Sequence, residues 1–175
     1  MATTVNGFTF NSEDIGLQCA INSNGDIGVR CLLYNSTAKQ YGSAYLFFDL
    51  DYIPQNNGKL KIIVKSVKAT NDMREHRNWR SVYGTIKANG TTIFEGTLTA
   101  SDGATWHSAH SLCTLTGGST TYGIANYTSN SQGSMSIAFD CSFQIVHDIK
   151  LVYPAGSTDG WTNSGQMTAS TTSFT

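Results

Sequence analysis

Trp79-Arg-Ser-Val-Tyr-Gly-Thr-Ile-Lys-Ala-Asn-Gly-Thr-Thr-Ile-Phe-Glu-Gly-Thr-Leu-Thr-Ala100 is the stretch on which the fold turns. Both central residues of a type I′ turn need positive φ, and Asn89-Gly90 supplies the pair that tolerates it best. The flanking segments are rich in Thr, Tyr, Val, Ile and Phe, which fit a pleated, half-buried surface. The spacing predicts a two-residue hairpin, with Ala88 opposite Thr91, Ile86 opposite Ile93 and Thr85 opposite Phe94.

Working outward, the period of two recurs along the chain, and no segment carries a 3.6-residue period. Val5 to Phe10 reads as a short first strand. Ile27, Val29, Cys31 and Leu33 share one face of a second. In Ser43 to Ile53, Ala44, Leu46, Phe48 and Leu50 lie on one face, with Tyr45, Phe47, Asp49 and Asp51 opposite. Pro54-Gln-Asn-Asn-Gly58 is a turn cluster, and Leu60, Ile62 and Val64 follow in alternation. The longest pattern starts at Met135 and keeps Ile137, Phe139, Cys141, Phe143, Ile145, His147, Ile149, Leu151 and Tyr153 in one parity. That exceeds the usual strand length of about 3–10 residues, so a break near Ser142 is expected. Short strands with turns between them predict an all-β fold, an antiparallel β-sandwich of jelly-roll type. The expected divisions are an N-terminal arm and first strand at 1–15, the sandwich at 16–155, and a Gly/Ser/Thr-rich extension at 156–175.

Composition narrows the function. The 175 residues carry 11 Lys and Arg against 12 Asp and Glu, a formal net charge of −1. A nucleic-acid partner calls for a basic excess or stripe, and the sequence has none. Charged residues are only 13% of the chain, whereas Ser, Thr, Asn and Gly make up about two-fifths of it. No apolar run approaches the roughly 20 residues of a membrane helix, so membrane insertion is not expected. Met1-Ala-Thr-Thr-Val-Asn-Gly7 has neither the basic nor the apolar region of a secretory signal. Cys19, Cys31, Cys113 and Cys141 have no short spacing, and they read as thiols packed among apolar side chains rather than as zinc ligands.

Catalytic motifs are missing: no GxSxG, GxxxxGK[ST], HExxH or GxGxxG occurs. In Trp106-His107-Ser-Ala-His110 the two histidines stand three apart and would face opposite sides of a strand. His147 has the parity of the apolar face, where a satisfied core histidine is expected rather than a base. Glu75, Glu95, Asp102 and Asp140 are not coupled into the facing pair that glycoside hydrolysis needs. The chain is therefore not expected to be an enzyme, with a jelly-roll polysaccharide-degrading activity as the remaining catalytic alternative.

The most informative polar stretch runs from Thr70 to Arg80 and concentrates Arg74, Arg77 and Arg80 with His76, Asn78 and Trp79. An aromatic ring stacks on the C–H face of a sugar while planar polar groups bond its hydroxyls. Trp79, Arg80, Asn78, Arg77, Trp106 and Tyr83 are accordingly the candidate carbohydrate-binding residues, with Tyr122 sharing the ambiguity of Trp106. Each aromatic has an alternative place in the core, and only an exposed one serves as a platform.

Phe143-Gln-Ile-Val-His-Asp-Ile-Lys-Leu-Val152 resembles the closing strand of galactose-binding-like β-jelly-roll modules, and Thr105-Trp106 resembles their strand-opening Trp. The likeness spans about Gly42 to Tyr153. Some members hold a structural calcium with a carboxylate on the last strand and acidic residues near the start of the domain. The resemblance implies Asp148 for the first and Glu13 or Asp14 for the second, with no other cofactor. The basic loop at 74–80 and the Thr/Ser tail depart from the pattern and leave the ligand open. Two functions are expected: a non-catalytic carbohydrate-recognition module, and a structural subunit of a larger assembly without sugar binding. On either reading the chain is expected to be a homo-oligomer or a partner of other virion proteins, the first as a sugar-binding phage tail, receptor-binding or decoration component, made in the cytoplasm and displayed outside. On the second reading Met1 to Phe10 and the tail from Gly156 would anchor to neighbouring subunits.

Overall fold

The alternation is realised as antiparallel strands in a computed structural model that describes residues 2–11, 16–35, 40–56, 58–72, 79–100, 112–117, 122–126, 128–129, 135–147 and 160–171. In chain order the strands are β1 (Ala2–Val5), β2 (Phe8–Asn11), β3 (Gly16–Ile21), β4 (Ile27–Asn35), β5 (Gln40–Pro54), β6 (Lys59–Asp72) and β7 (Trp79–Ala88). They continue as β8 (Thr91–Ala100), β9 (Cys113–Gly117), β10 (Tyr122–Asn126), β11 (Thr128–Ser129), β12 (Met135–His147) and β13 (Gly160–Thr171). No helix occurs among the described residues. The main sheet has the hydrogen-bonded order β11-β12-β7-β8-β9-β6-β5-β4-β3, with β10 also on β6 and β13 also on β12. Because β13 runs beside β3, the sheet nearly closes on itself. The result is the expected all-β antiparallel sandwich, with a barrel-like curl.

Inward parity builds one core. Leu46, Phe48, Leu60, Ile62, Val82, Ile86, Ile93, Phe94, Leu98, Phe139 and Phe143 are all buried. Phe48 on β5 stacks on Phe143 of β12 with centroids 5.6 Å apart, and it meets Phe94 of β8 edge-on at 5.6 Å. Offset and edge-to-face pairs of this kind add about 0.5–1.5 kcal/mol beyond the area they bury. β9 and β10 both run antiparallel to β6, along Val67–Ala69 and Lys59–Ile63 respectively, so they occupy one lane of the sheet in succession.

Of the three register shifts among the described residues, two adjust the parity of rows that line the core. On β6, Asp49 pairs Ser66 and Leu50 pairs Val64, which leaves Lys65 as the extra residue. Leu60, Ile62 and Val64 face inward before the bulge, and Val67 and Ala69 after it. On β8, Ile86 pairs Phe94 and Lys87 pairs Thr92, so Ile93 is extra. The sequence register placed Ile86 opposite Ile93, and the bulge corrects it by one residue. Its physical reason is that the bulge turns both Ile93 and Phe94 into the core. The turn itself is as expected, with φ of 47° at Asn89 and 84° at Gly90. Asn89 also clasps β12, its Oδ1 accepting from the Ala138 amide and its own amide donating to the Ala138 carbonyl.

Two further expectations change, and the C-terminal extension takes a place in the sheet. The N-terminal segment is a hairpin rather than one strand, because Asn6-Gly7 repeats the turn dipeptide with φ of 51° and 83°. This hairpin lies over the outer face of the main sheet, where Phe8, Phe10, Ala20, Tyr45 and Phe47 form a second, smaller core. Phe8 stacks on Phe47 at 5.4 Å, so residues 2–11 meet their own chain. β12 does not break near Ser142. It is paired on one side by β7 and on the other by β13, and both ladders run through Ser142, with the irregularity falling at Val146/His147. Finally, Gly160–Thr171 of the C-terminal extension is a full ladder partner of β12.

β7 and β12 approach closely at Gly84 of β7. A Cβ there would collide with the Ser142 carbonyl oxygen and the Phe143 ring. Gly84→Ala should lower stability by about 3 kcal/mol, read from urea denaturation, because backbone and a core ring must both move. A loss under about 0.5 kcal/mol would show that β7 and β12 do not pack in this register.

Candidate functional site

Inward parity on one side of β7 and β8 leaves a polar face on the other. Val82, Ile86 and Ala88 are fully buried, while Tyr83 stands 44% exposed between them. Tyr83 pairs Thr97 of β8 and Gln144 of β12 in register. Exposed Thr97, Thr99, Thr114 and Thr116 extend this face across β8 and β9, with Thr99 opposite Thr116. Lys87 and Asp140, both exposed, are register partners further along, and exposed Glu95 pairs Thr85. The surface thus offers one aromatic ring among hydroxyls, an ammonium and carboxylates. Such a set can stack on an apolar ring face and bond several hydroxyls together.

Of the sequence-predicted ligand residues, Trp79 and Arg80 open the strand that carries Tyr83. Trp79 pairs His147, and the register shift between Val146 and His147 falls at Arg80. Asn78, Arg77 and Trp106 lie outside the described residues, as do the calcium candidates Asp148, Asp14 and Glu13 and the histidines His107 and His110. Tyr122 is 52% exposed. Among the residues whose side chains are described, every Phe is buried, and Tyr83 and Tyr122 are exposed aromatic rings. Sequence reading missed Lys61, Ile53, Ile63 and Ile124, which surround Tyr122 on the outer face of β5, β6 and β10. The visible trace was Ile62-Ile63-Val64, which puts large apolar groups on both sides of one strand.

The other titratable groups serve the frame. Cys19, Cys31 and Cys141 are free and buried. A hydrogen bond with the Cys19 thiol and burial both push the Cys141 thiol up, and burial does the same to Cys31. Cys31 and Cys141 therefore stay protonated and poorly nucleophilic. Among the described residues no cluster of three or more His, Cys, Asp or Glu is placed to hold a metal ion. At the β3–β4 turn, Asn22 Oδ1 accepts from the amides of Asn24 and Asp26, and Asp26 Oδ1 accepts from the Leu50 amide at 2.9 Å. The Tyr52 hydroxyl donates to the Gly25 carbonyl and ties this turn to β5. Burial raises the Asp26 carboxyl, and burial followed by the Asp26 charge raises the Tyr52 phenol.

Comparisons with protein-family models, curated proteins and solved structures found no match for this chain.

Asp26 gives a pH-dependent expectation. Its folded carboxyl binds a proton more tightly than the unfolded one, so its stabilising effect is complete at acid pH and is lost as pH rises through the folded value. Asp26→Asn retains an oxygen acceptor for the Leu50 amide and removes the partly desolvated charge. Its melting temperature should match or exceed wild type at neutral pH, the difference vanishing near pH 3. A variant that melts lower than wild type at neutral pH would contradict this.

Proposed function

We propose that the protein is a non-catalytic recognition module whose outer β12–β7–β8 face binds carbohydrate. The observation that carries the reading is Tyr83: an exposed ring on a rigid strand, flanked by threonine and carrying Trp79 and Arg80 at the start of the same strand. A phenol held between two hydrogen-bonded neighbours loses little freedom when a sugar stacks on it, and the surrounding hydroxyl, ammonium and carboxylate groups provide donors and acceptors. Glu95 and Asp140 lie exposed on the same outer face, each beside a strand neighbour. That placement suits hydrogen bonding to a ligand better than proton transfer within a closed cleft. A protein of this kind would act on the outside of a larger particle, such as a virion, where glycans are met after release from the cell.

Tyr83→Ala should weaken retention on the best-binding glycan of an array by about ten-fold, the equivalent of one lost stacking contact. Because the side chain is exposed, the melting temperature should stay within a few degrees of wild type. Glycan retention equal to wild type would remove Tyr83 from the site. Retention lost together with a large fall in melting temperature would assign the ring to the frame.

A further inference from the structure

A second outer face differs in kind from the one around Tyr83. Across β5, β6 and β10 the register aligns Asp51, Ile63 and Tyr122 in one row, and Ile53, Lys61 and Ile124 in the next. Ile53, Tyr122 and Ile124 are 43%, 52% and 47% exposed, and Ile63 is partly exposed. Elsewhere among the described residues, adjacent large apolar side chains on an outer face are covered. On β5, before the bulge at Asp49/Leu50, the outer residues Tyr45 and Phe47 are buried beneath the β1–β2 hairpin. Past the bulge, the outer residues of the same strand are Asp51 and exposed Ile53, and no described segment covers them.

We propose that this β5–β6–β10 face joins two copies of the chain in a two-fold dimer. The charges select a second copy over other occupants. Lys65 pairs Asp51 at 3.3 Å, and the Lys61 ammonium lies 4.5 Å from the centre of the Tyr122 ring. Both signs therefore border one apolar centre, and a two-fold rotation can set lysine against aspartate while isoleucine meets isoleucine. A polyanionic partner would be opposed by Asp51, and an acidic or basic protein would gain from only half of the border. With a formal net charge of −1, two copies do not repel each other at long range. The backbone groups of β5 and β6 are already paired on both sides, so contact is made by side chains of facing sheets, about 10 Å apart, and not by adding a strand. The proposal is independent of the carbohydrate reading, which uses the other face.

Light scattering and sedimentation equilibrium on the full chain at high micromolar concentration should give twice the 18.9 kDa chain mass. Ile53→Lys combined with Ile124→Lys should halve that mass and leave the melting temperature within a few degrees, whereas Leu112→Lys, at a 47% exposed site off this face, should leave the mass unchanged. Acylation of lysine amines on the wild-type protein gives a readout that needs no variant. Lys61 should react several-fold more slowly in concentrated than in dilute solution, and Lys87 equally in both. A wild-type chain that stays monomeric, a dimer that survives the double substitution, or Lys61 reactivity independent of concentration would each overturn the proposal. So would loss of glycan retention, in place of mass, in Ile53→Lys/Ile124→Lys.

Discussion

The stacking of Phe48 on Phe143 is the contact that gives the molecule its shape. β5 and β12 are separated in the sheet by β6, β9, β8 and β7, yet their rings lie 5.6 Å apart. In a flat sheet, strands about 4.8 Å apart would hold these rings more than 20 Å from one another. The sheet must therefore curl until its distant strands share one interior, and β13 coming up beside β3 is the other sign of that curl. Fully burying one Phe is worth about 1.5–3 kcal/mol, so the cluster of Phe48, Phe94 and Phe143 strongly favours the curled sheet.

Once the curl is set, every outer face is decided by parity and by what lies over it. The face of β3 to β5 is covered by the β1–β2 hairpin, which brings Phe8 and Phe10 to Tyr45 and Phe47 and places the Arg30 guanidinium 6.0 Å from the Phe10 ring. Over β7, β8 and β9 the outer residues are threonines, Lys87, Glu95 and Tyr83, a composition that water tolerates and a polyhydroxylated ligand can use. Along β5, β6 and β10 the outer face is a mixture of isoleucine, tyrosine and paired charges. The bulge at Asp49/Leu50 marks the boundary on β5 between the covered face and the mixed one. The described outer faces of the one curled sheet thus differ in what covers them.

Much of this was legible in the sequence because its period is two. β4, β5, β7, β8, β12 and the first half of β6 follow from alternation, and the Asn89-Gly90 turn from its dipeptide. The Ile93 bulge did not, because an inserted residue leaves no mark where both neighbours are apolar. The Asn6-Gly7 hairpin carried the same turn dipeptide as Asn89-Gly90, but strands of four residues are too short for alternation to stand out. Gly160–Thr171 is built from small polar residues, and its place in the sheet comes from pairing with β12, which is tertiary information. For the candidate site, the exposure of Tyr83 and Tyr122 depends on which parity faces inward, and the Ile53–Ile124 face on a register between strands far apart in sequence. Neither is a property of a local segment.

The curl is tested most directly by nuclear Overhauser contacts in protein carrying labelled phenylalanine. The account predicts cross-peaks between the Phe48 and Phe143 rings, and between Phe48 and Phe94, in the folded chain. Phe48 resonances that show contacts only to residues of β4 and β6 would mean an open sheet, and would contradict the fold from which every face described above derives.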